Sequence, residues 1–262
     1  MPKLVATDLD GTLLHSDGTV TERTRRALAA LEDQGVTVVF VTGRPTRWMD
    51  ALWEHVGGHG LAVCSNGGIV YDVHAREVAE ARTIPLPTGR QVGRLLREAD
   101  PSVSFAVERA DGFGKEPAYL TRAPVPADLQ VGPLERLLTG QVVKLLARHE
   151  DRDPEPFWAE VEERVGHLVT TTWSSTSAMV EMSGLGVTKA STLERLCQER
   201  GIAAEEVVAF GDMPNDLPML AWAGASYAMA NAHPSVRELA DEVAPRNDED
   251  GVAAVLERLF GL

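Results

Sequence analysis

At 262 residues the chain can hold one large domain or two smaller ones, and 44% hydrophobic with 24% charged residues is ordinary globular composition. A formal net charge of −14 disfavours nucleic acid and acidic membranes as partners, since both are polyanions, while leaving room for a small anion beside a local cation. The two cysteines, Cys64 and Cys197, form neither a CxxC pair nor a zinc spacing, so two buried thiols in a reducing compartment are expected.

The first apolar run, Lys3-Leu4-Val5-Ala6, predicts a buried strand that ends in Thr7-Asp8-Leu9-Asp10-Gly11-Thr12-Leu13-Leu14. Asp8 comes so early that a signal peptide is not expected, and no apolar run approaches the ~20 residues of a membrane span. A cytoplasmic protein is therefore expected. Thr21 to Gln34 carries Ala27, Leu28 and Leu31 at helical spacing, with Thr21 as N-cap and Gly35 just past the end. The β-branched run Val36 to Val41 predicts a second strand, followed by Thr42-Gly43-Arg44-Pro45 and a helix from about Pro45 to His55. Gly60 to Cys64 predicts a third strand, ending in the hairpin-type turn Ser65-Asn66-Gly67-Gly68. Strands alternating with helices imply a parallel sheet with right-handed crossovers.

The rhythm then changes. Pro85-Leu86-Pro87 suggests a linker, and the next hundred or so residues yield strands at Val103–Glu108, Ala118–Thr121, Val142–His149, Leu168–Trp173 and Ala178–Met182, with helices at Thr88–Ala99 and Pro154–Val165. Clustered strands without regular intervening helices predict an antiparallel sheet with helices on one face. Ser183-Gly184-Leu185-Gly186 suggests a second joint, so residues 84–186 read as an inserted α+β domain between 1–83 and 187–262. The first rhythm resumes with a helix at Thr188–Arg200, a strand at Glu206–Phe210, a helix at Pro214–Ala223 and a strand at Ala225–Met229. Helices at Val236–Ala240 and Val252–Phe260 close the chain.

Four acids, Asp8, Asp10, Asp212 and Asp216, fall at strand ends of one sheet, where open α/β sheets bind ligands. Two carboxylates ~5 Å apart repel by about 3 kcal/mol at an effective dielectric near 20, so gathering several calls for a hard cation such as Mg²⁺. Helix-start chemistry is the plainer reading of Asp212 and Asp216, and Asp-Gly turn chemistry that of Asp10 and Gly11. Lys189 lies in the first turn of its helix, where the dipole disfavours a cation unless an anion is held there. Thr42 and the Gly43 backbone offer neutral donors suited to phosphate oxygens. These are the parts of phosphoryl transfer: a nucleophile, a metal, a cation and donors around one phosphate.

The same residues resemble the haloacid dehalogenase-like phosphatases, specifically the Cof-type branch. Asp8 to Leu14 is similar to that family's first motif, Val41-Thr42-Gly43-Arg44 to its second, Gly186-Val187-Thr188-Lys189 to its third and Gly211-Asp212-Met213-Pro214-Asn215-Asp216 to its fourth. Ser65-Asn66-Gly67-Gly68, Ala230-Asn231-Ala232 and Asn247 to Val252 extend the likeness. The resemblance implies a Rossmann-like core with a C2-type cap of the C2B kind, Asp8 as nucleophile and Asp10 as general acid/base. It implies Mg²⁺ held by the Asp8 carboxylate, the Asp10 carbonyl and Asp212, with Asn215 and Asp216 supporting. Thr42, Gly43 and Lys189 would hold the phosphate, Arg44 would meet an anionic substrate or solvate its loop, Asn66 would support the site, and Thr12 would hold Asp10. Gly184 stands where the family often has proline, and Ala190 where glycine often follows the lysine.

The implied activity is hydrolysis of a small phosphomonoester such as a sugar phosphate, nucleotide or phosphorylated cofactor. Arg109, Lys115, Lys144, Arg148, His149 and Trp173 are in the block expected to face substrate, although ordinary surface or core roles explain each of them. A phosphosugar mutase is the alternative within this chemistry. A metal-dependent glycosyltransferase leaves Lys189 and Asp212 unexplained, and a non-catalytic binding module leaves every filled catalytic position unexplained. Nicotinamide binding lacks a GxGxxG after the first strand. Oligomeric state is not legible.

Overall fold

The computed structural model describes residues 2–49, 52, 60–121, 125–174 and 177–262. The chain divides into two units, Met1–Ala79 with Thr188–Leu262, and Glu80–Val187.

The first unit is built on β1 (Leu4–Thr7), β2 (Thr37–Val41), β3 (Leu61–Cys64) and β4 (Ile69–Asp72), together with β12 (Val207–Gly211), β13 (Ala225–Met229) and β14 (Glu242–Ala244). The sheet order is β14-β13-β12-β1-β2-β3-β4, and β5 (Glu77–Ala81) extends it at the β4 edge. The strands from β14 to β3 run parallel, and β4 returns antiparallel from β3. The chain leaves β1 toward β2 and comes back on the other side at β12, so the strand order reverses at β1. Ligands of open α/β sheets bind at that switch point, beyond the carboxyl ends of the strands. All four β1 residues are fully buried, as a central parallel strand covered on both faces requires.

Helix Glu22–Asp33 is capped by Thr21, whose side chain accepts from the Thr24 N–H, a contact worth about 1 kcal/mol. It packs against the terminal helix Gly251–Phe260, and helix Lys189–Glu199 packs against Leu217–Trp222. The expected helix Pro45–His55 is a 3₁₀ turn over Thr46–Trp48, and residues 50, 51 and 53–55 of that expectation lie outside the described residues. The expected helix Pro214–Ala223 opens as a 3₁₀ turn, Pro214–Asp216, before becoming α-helical at Leu217.

The second unit carries a sheet ordered β10-β11-β9-β6-β7-β8, from β6 (Ser104–Arg109), β7 (Gly112–Lys115), β8 (Gln130–Val131), β9 (Val142–Arg148), β10 (Val169–Thr172) and β11 (Met179–Gly184). Its pairs are antiparallel except for the short β7–β8 ladder. Helices Leu86–Ala99 and Pro154–Val165 share one apolar core with the sheet, in which Val92, Leu96, Phe105, Val107, Phe157, Val161 and Val180 are buried. Three expectations are corrected here. Pro85-Leu86-Pro87 is a helix start rather than a linker, since Leu86 is already helical and a proline in the first turn removes only an N–H that has no helical partner. Ala118–Thr121 is no strand: the Tyr119 N–H closes a turn onto the Glu116 carbonyl, and the glycine-rich Gly112–Lys115 pairs with β6 instead. Ser183 and Gly184 end β11 instead of forming a joint. A Cβ on Gly184 would lie 2.9 Å from the Thr83 carbonyl oxygen, so glycine lets the strand pass close to that backbone.

Candidate active site

Asp8 follows β1 directly and is 5% exposed. The ammonium of Lys189, 1% exposed at the first position of its helix, lies 2.6 Å from Asp8 Oδ1 and 2.7 Å from Asp216 Oδ1. A Thr188–Ser191 capping box shapes that helix end. The anion that relieves a lysine in this position is thus supplied by the protein's own carboxylates. Asp8, Asp212 and Asp216 each offer a carboxylate oxygen within 4.8 Å of the others. At that spacing each pair repels by about 3 kcal/mol at an effective dielectric near 20, which Lys189 answers only in part.

The three acids are not equivalent. Asp216 spends Oδ1 on Lys189 and Oδ2 on the Asp212 and Met213 N–H groups, which makes it a positioning residue for the loop after β12. The Asp212 carboxylate accepts one hydrogen bond among the described residues, from Thr12 Oγ1 at 3.1 Å. Thr12 therefore holds Asp212, correcting the expectation that it holds Asp10, because the turn at Gly11 carries the hydroxyl across to the neighbouring strand end. Gly11 has φ 75°, and a Cβ there would lie 2.3 Å from Asp212 Oδ2, so only glycine fits.

Asp10 turns away from this cluster. Its side chain is 58% exposed and is gripped by Arg44, with Nε 2.6 Å from Oδ2 and Nη2 2.5 Å from Oδ1. Arg44 is thus neither idle in solvent nor open to a substrate alone. Thr42 Oγ1 accepts the Arg44 N–H and shapes the turn after β2, while Asn215 Nδ2 donates to Asn66 Oδ1 at 3.1 Å.

Burial pushes the Asp8 carboxyl well above its usual range, with Lys189 opposing and Asp216 and Asp212 adding to the rise. Burial, and then Asp216, pushes Asp212 from 3.8 up to about 7. Burial acts to lower the Lys189 pKa, but Asp216 and Asp8 outweigh it and raise the group, so the lysine stays charged. Because Asp8 and Asp212 ionise earlier in the unfolded chain than in the folded one, the metal-free fold loses stability as pH rises from about 4 to about 7. A divalent cation bound to the ionised carboxylates would reverse that loss. Melting curves should show a larger gain from saturating MgCl₂ near pH 8 than near pH 5; an equal gain at both would contradict this electrostatic account.

The profile of the haloacid dehalogenase-like hydrolases matches residues 5–256. The chain belongs to this family. It is 29% identical to the 5-amino-6-(5-phospho-D-ribitylamino)uracil phosphatase YitU of Bacillus subtilis, over all of this chain and 98% of that one. It is also 29% identical to the pyridoxal phosphate phosphatase YbhA of Escherichia coli, over 96% of each. A haloacid dehalogenase-like hydrolase from Bacteroides thetaiotaomicron has a solved structure that superposes with a TM-score of 0.79 at 27% identity, over 99% of this chain and all of that one. With these relatives the chain stands as a phosphatase of the haloacid dehalogenase-like family, with that family's fold.

Two family features that sequence reasoning noted without assigning a role fasten the loop after β1. Asn231 Nδ2 donates to the Gly11 carbonyl at 2.8 Å, and Asn247 Nδ2 donates to the Leu14 carbonyl at 3.0 Å. Asn231 Oδ1 in turn accepts the Asn247 N–H. The two amide donors lie 220 and 233 residues from the Gly11 and Leu14 carbonyls, so no local pattern announces them.

In the second unit, most of the cations singled out from the sequence are already engaged. Lys144 pairs with Glu181 at 2.5 Å, Arg109 bonds Asp111 and the Leu137 carbonyl, and Lys115 donates to the Tyr119 carbonyl. His149 meets Ser102 and Asp100. Arg148 is buried over the Tyr119 ring, near Glu150 at 3.9 Å, and its Nε and Nη1 make no hydrogen bond among the described residues. Trp173 is half-buried. Among the described residues no helix is long and apolar enough to cross a membrane.

Proposed function

We propose that this family member is a Mg²⁺-dependent phosphatase of small phosphomonoester metabolites, acting through an aspartyl phosphate on Asp8. The observation that carries the reading is the buried carboxylate cluster around Lys189 at the switch point of the parallel sheet. The donor set fits Mg²⁺, because all three groups are hard oxygens and Asp212 keeps coordinating capacity that Asp216 does not. Asp8, the Asp10 carbonyl and Asp212 would hold the ion, with Asn215 and Asp216 supporting. When bound, Mg²⁺ would neutralise charge on the phosphoryl oxygens.

The chain's own groups do the rest. An oxygen of the Asp8 carboxylate attacks phosphorus, the bond to the leaving oxygen breaks, and the Asp10 carboxyl delivers a proton to that oxygen. The Asp10 carboxylate then takes a proton from water as the water oxygen attacks phosphorus, releasing inorganic phosphate and restoring Asp8. Lys189, with three N–H donors and two spent on Asp8 and Asp216, keeps one for a phosphate oxygen. Thr42 and the Gly43 backbone supply neutral donors. Arg44 holds the Asp10 side chain outside the cluster, and the proton that Asp10 delivers is the one it takes from water at the end of each turnover.

Residues 84–186 serve in this reading as a cap of the C2B kind inserted into a core of residues 1–83 and 187–262. A small phosphorylated metabolite is the substrate, and nucleic acid is not a partner at a net charge of −14. A cytoplasmic location suits two buried cysteines, since burial pushes the Cys197 thiol up to about 11 and keeps it unreactive.

The test is a phosphate-release screen over flavin-pathway intermediates, pyridoxal phosphate, sugar phosphates and nucleotides, with and without Mg²⁺. Release from at least one compound, lost when the metal is chelated, is expected. No release from any of them would remove the assignment, and isomerised sugar phosphate without free phosphate would make the enzyme a mutase.

A further inference from the structure

The turn after β3 holds a group of buried polar atoms that the proposed chemistry does not use. Ser65 and Asn66 both adopt left-handed backbone, with φ of 52° and 56°, in a position that glycine occupies more easily. Asn66 is 3% exposed. Its backbone N–H donates to the Thr42 carbonyl, and the Ser65 N–H donates to the Arg44 carbonyl, so the turn is laced onto the Thr42-Gly43-Arg44 loop. On its other side, Thr192 Oγ1 donates to the Gly67 carbonyl at 2.9 Å, tying the turn to the helix that carries Lys189.

The Asn66 amide therefore lies among the phosphate-loop residues. A Cβ built on Gly43 would come within 3.0 Å of Asn66 Oδ1, so Gly43 leaves the space that the amide fills. Oδ1 is spent on Asn215 Nδ2. Asn66 Nδ2, Ser65 Oγ and Asn215 Oδ1 are buried with no hydrogen-bond partner among the described residues. Buried polar atoms left unmet point to a ligand, an ion or an ordered water as the missing partner. With its acceptor end used, the end of Asn66 that remains is an N–H donor, the polarity an anionic oxygen requires.

We infer that Asn66 is a phosphate-binding residue, donating from Nδ2 to a phosphoryl oxygen, with Asn215 fixing the orientation of its amide. The inference rests on the phosphatase reading and adds a donor from the third strand end to those of Thr42, Gly43 and Lys189. A backbone-only role for Asn66 is the competing account, and two substitutions separate it. Asn66→Gly suits a φ of 56° and removes the amide, while Asn66→Asp keeps the shape and replaces the donor by an anion.

The experiment is calorimetric titration of inorganic phosphate into the full chain in the presence of MgCl₂, with melting curves for each variant and a separate titration of Mg²⁺ alone. Asn66→Gly should weaken phosphate about tenfold, as expected for loss of a hydrogen bond to a charged group. Asn66→Asp should weaken it further, with a lower melting temperature from the carboxylate it buries, and Asn66→Gly should retain the wild-type Mg²⁺ affinity. If Asn66→Gly binds phosphate as the wild type does, the inference fails while the phosphatase reading stands. A Mg²⁺ affinity that falls by the same factor as the phosphate affinity would also overturn it, by assigning the effect to Asn215 and the metal. If the wild type binds no phosphate, the inference fails, and the phosphate-release screen alone decides the phosphatase reading.

Discussion

Asp8→Asn is expected to reduce phosphate release by about ten-thousand-fold or more, the scale seen when a nucleophile is removed from an enzyme. An amide cannot attack phosphorus, and nothing else in the site replaces it: Asp216 is committed to Lys189 and two backbone N–H groups, and Asp10 is turned out toward Arg44. The fold should survive, because an amide oxygen at this position can still accept from Lys189. Since burial is the largest influence on the Asp8 carboxyl and disfavours its charge, the neutral amide should leave the metal-free melting temperature unchanged or higher. Turnover with the screened substrate and a melting curve check both halves. Retained turnover would remove Asp8 as nucleophile, and a collapsed fold would show that its charge is structural.

Lys189→Met should have the largest effect on stability. The ammonium is the cation that two buried carboxylates share, at 2.6 and 2.7 Å, and methionine fills most of its volume without its charge. Removing one partner of a buried ion pair costs about 3–5 kcal/mol, because the carboxylates left behind are neither solvated nor paired. Saturating MgCl₂ should recover part of this loss, and lowering the pH toward 5 should recover part by protonating Asp8 and Asp212, whose carboxyls are already raised. Urea denaturation at two pH values, with and without MgCl₂, measures all three effects. A loss below about 1 kcal/mol, the usual ceiling for an exposed pair, would return Lys189 to the role of an ordinary surface lysine.

Much of the first unit was legible from local signals. Apolar and β-branched runs marked β1, β2, β3, β12 and β13, and Thr21 and Gly35 marked helix ends, because these features depend on neighbours a few residues away. The second unit was harder for physical reasons. Proline in the first turn of a helix looks like a linker in one dimension, and β7, with glycine at two of its four positions, shows no strand propensity. In the sheet of the first unit, β5 and β14 lie mostly toward the surface and carried no apolar run to mark them.

The site divides in the same way. The chain's own order of residues determined which chemistry is on offer: an acid pair after the first strand, a threonine and glycine after the second, a lysine opening a late helix, and an acidic loop after β12. It also placed all of them at the carboxyl ends of one parallel sheet, since alternating strands and helices admit few other arrangements. Tertiary structure decided the division of labour. That Lys189 bridges Asp8 and Asp216, that Thr12 serves Asp212, that Arg44 restrains Asp10 and that Asn231 and Asn247 fasten the loop after β1 all depend on side chains up to 233 residues apart. Hydrogen bonds of about 3 Å are set by the packing of whole elements, and the spacing of residues along a chain carries no record of which distant carboxylate a hydroxyl or an ammonium will reach.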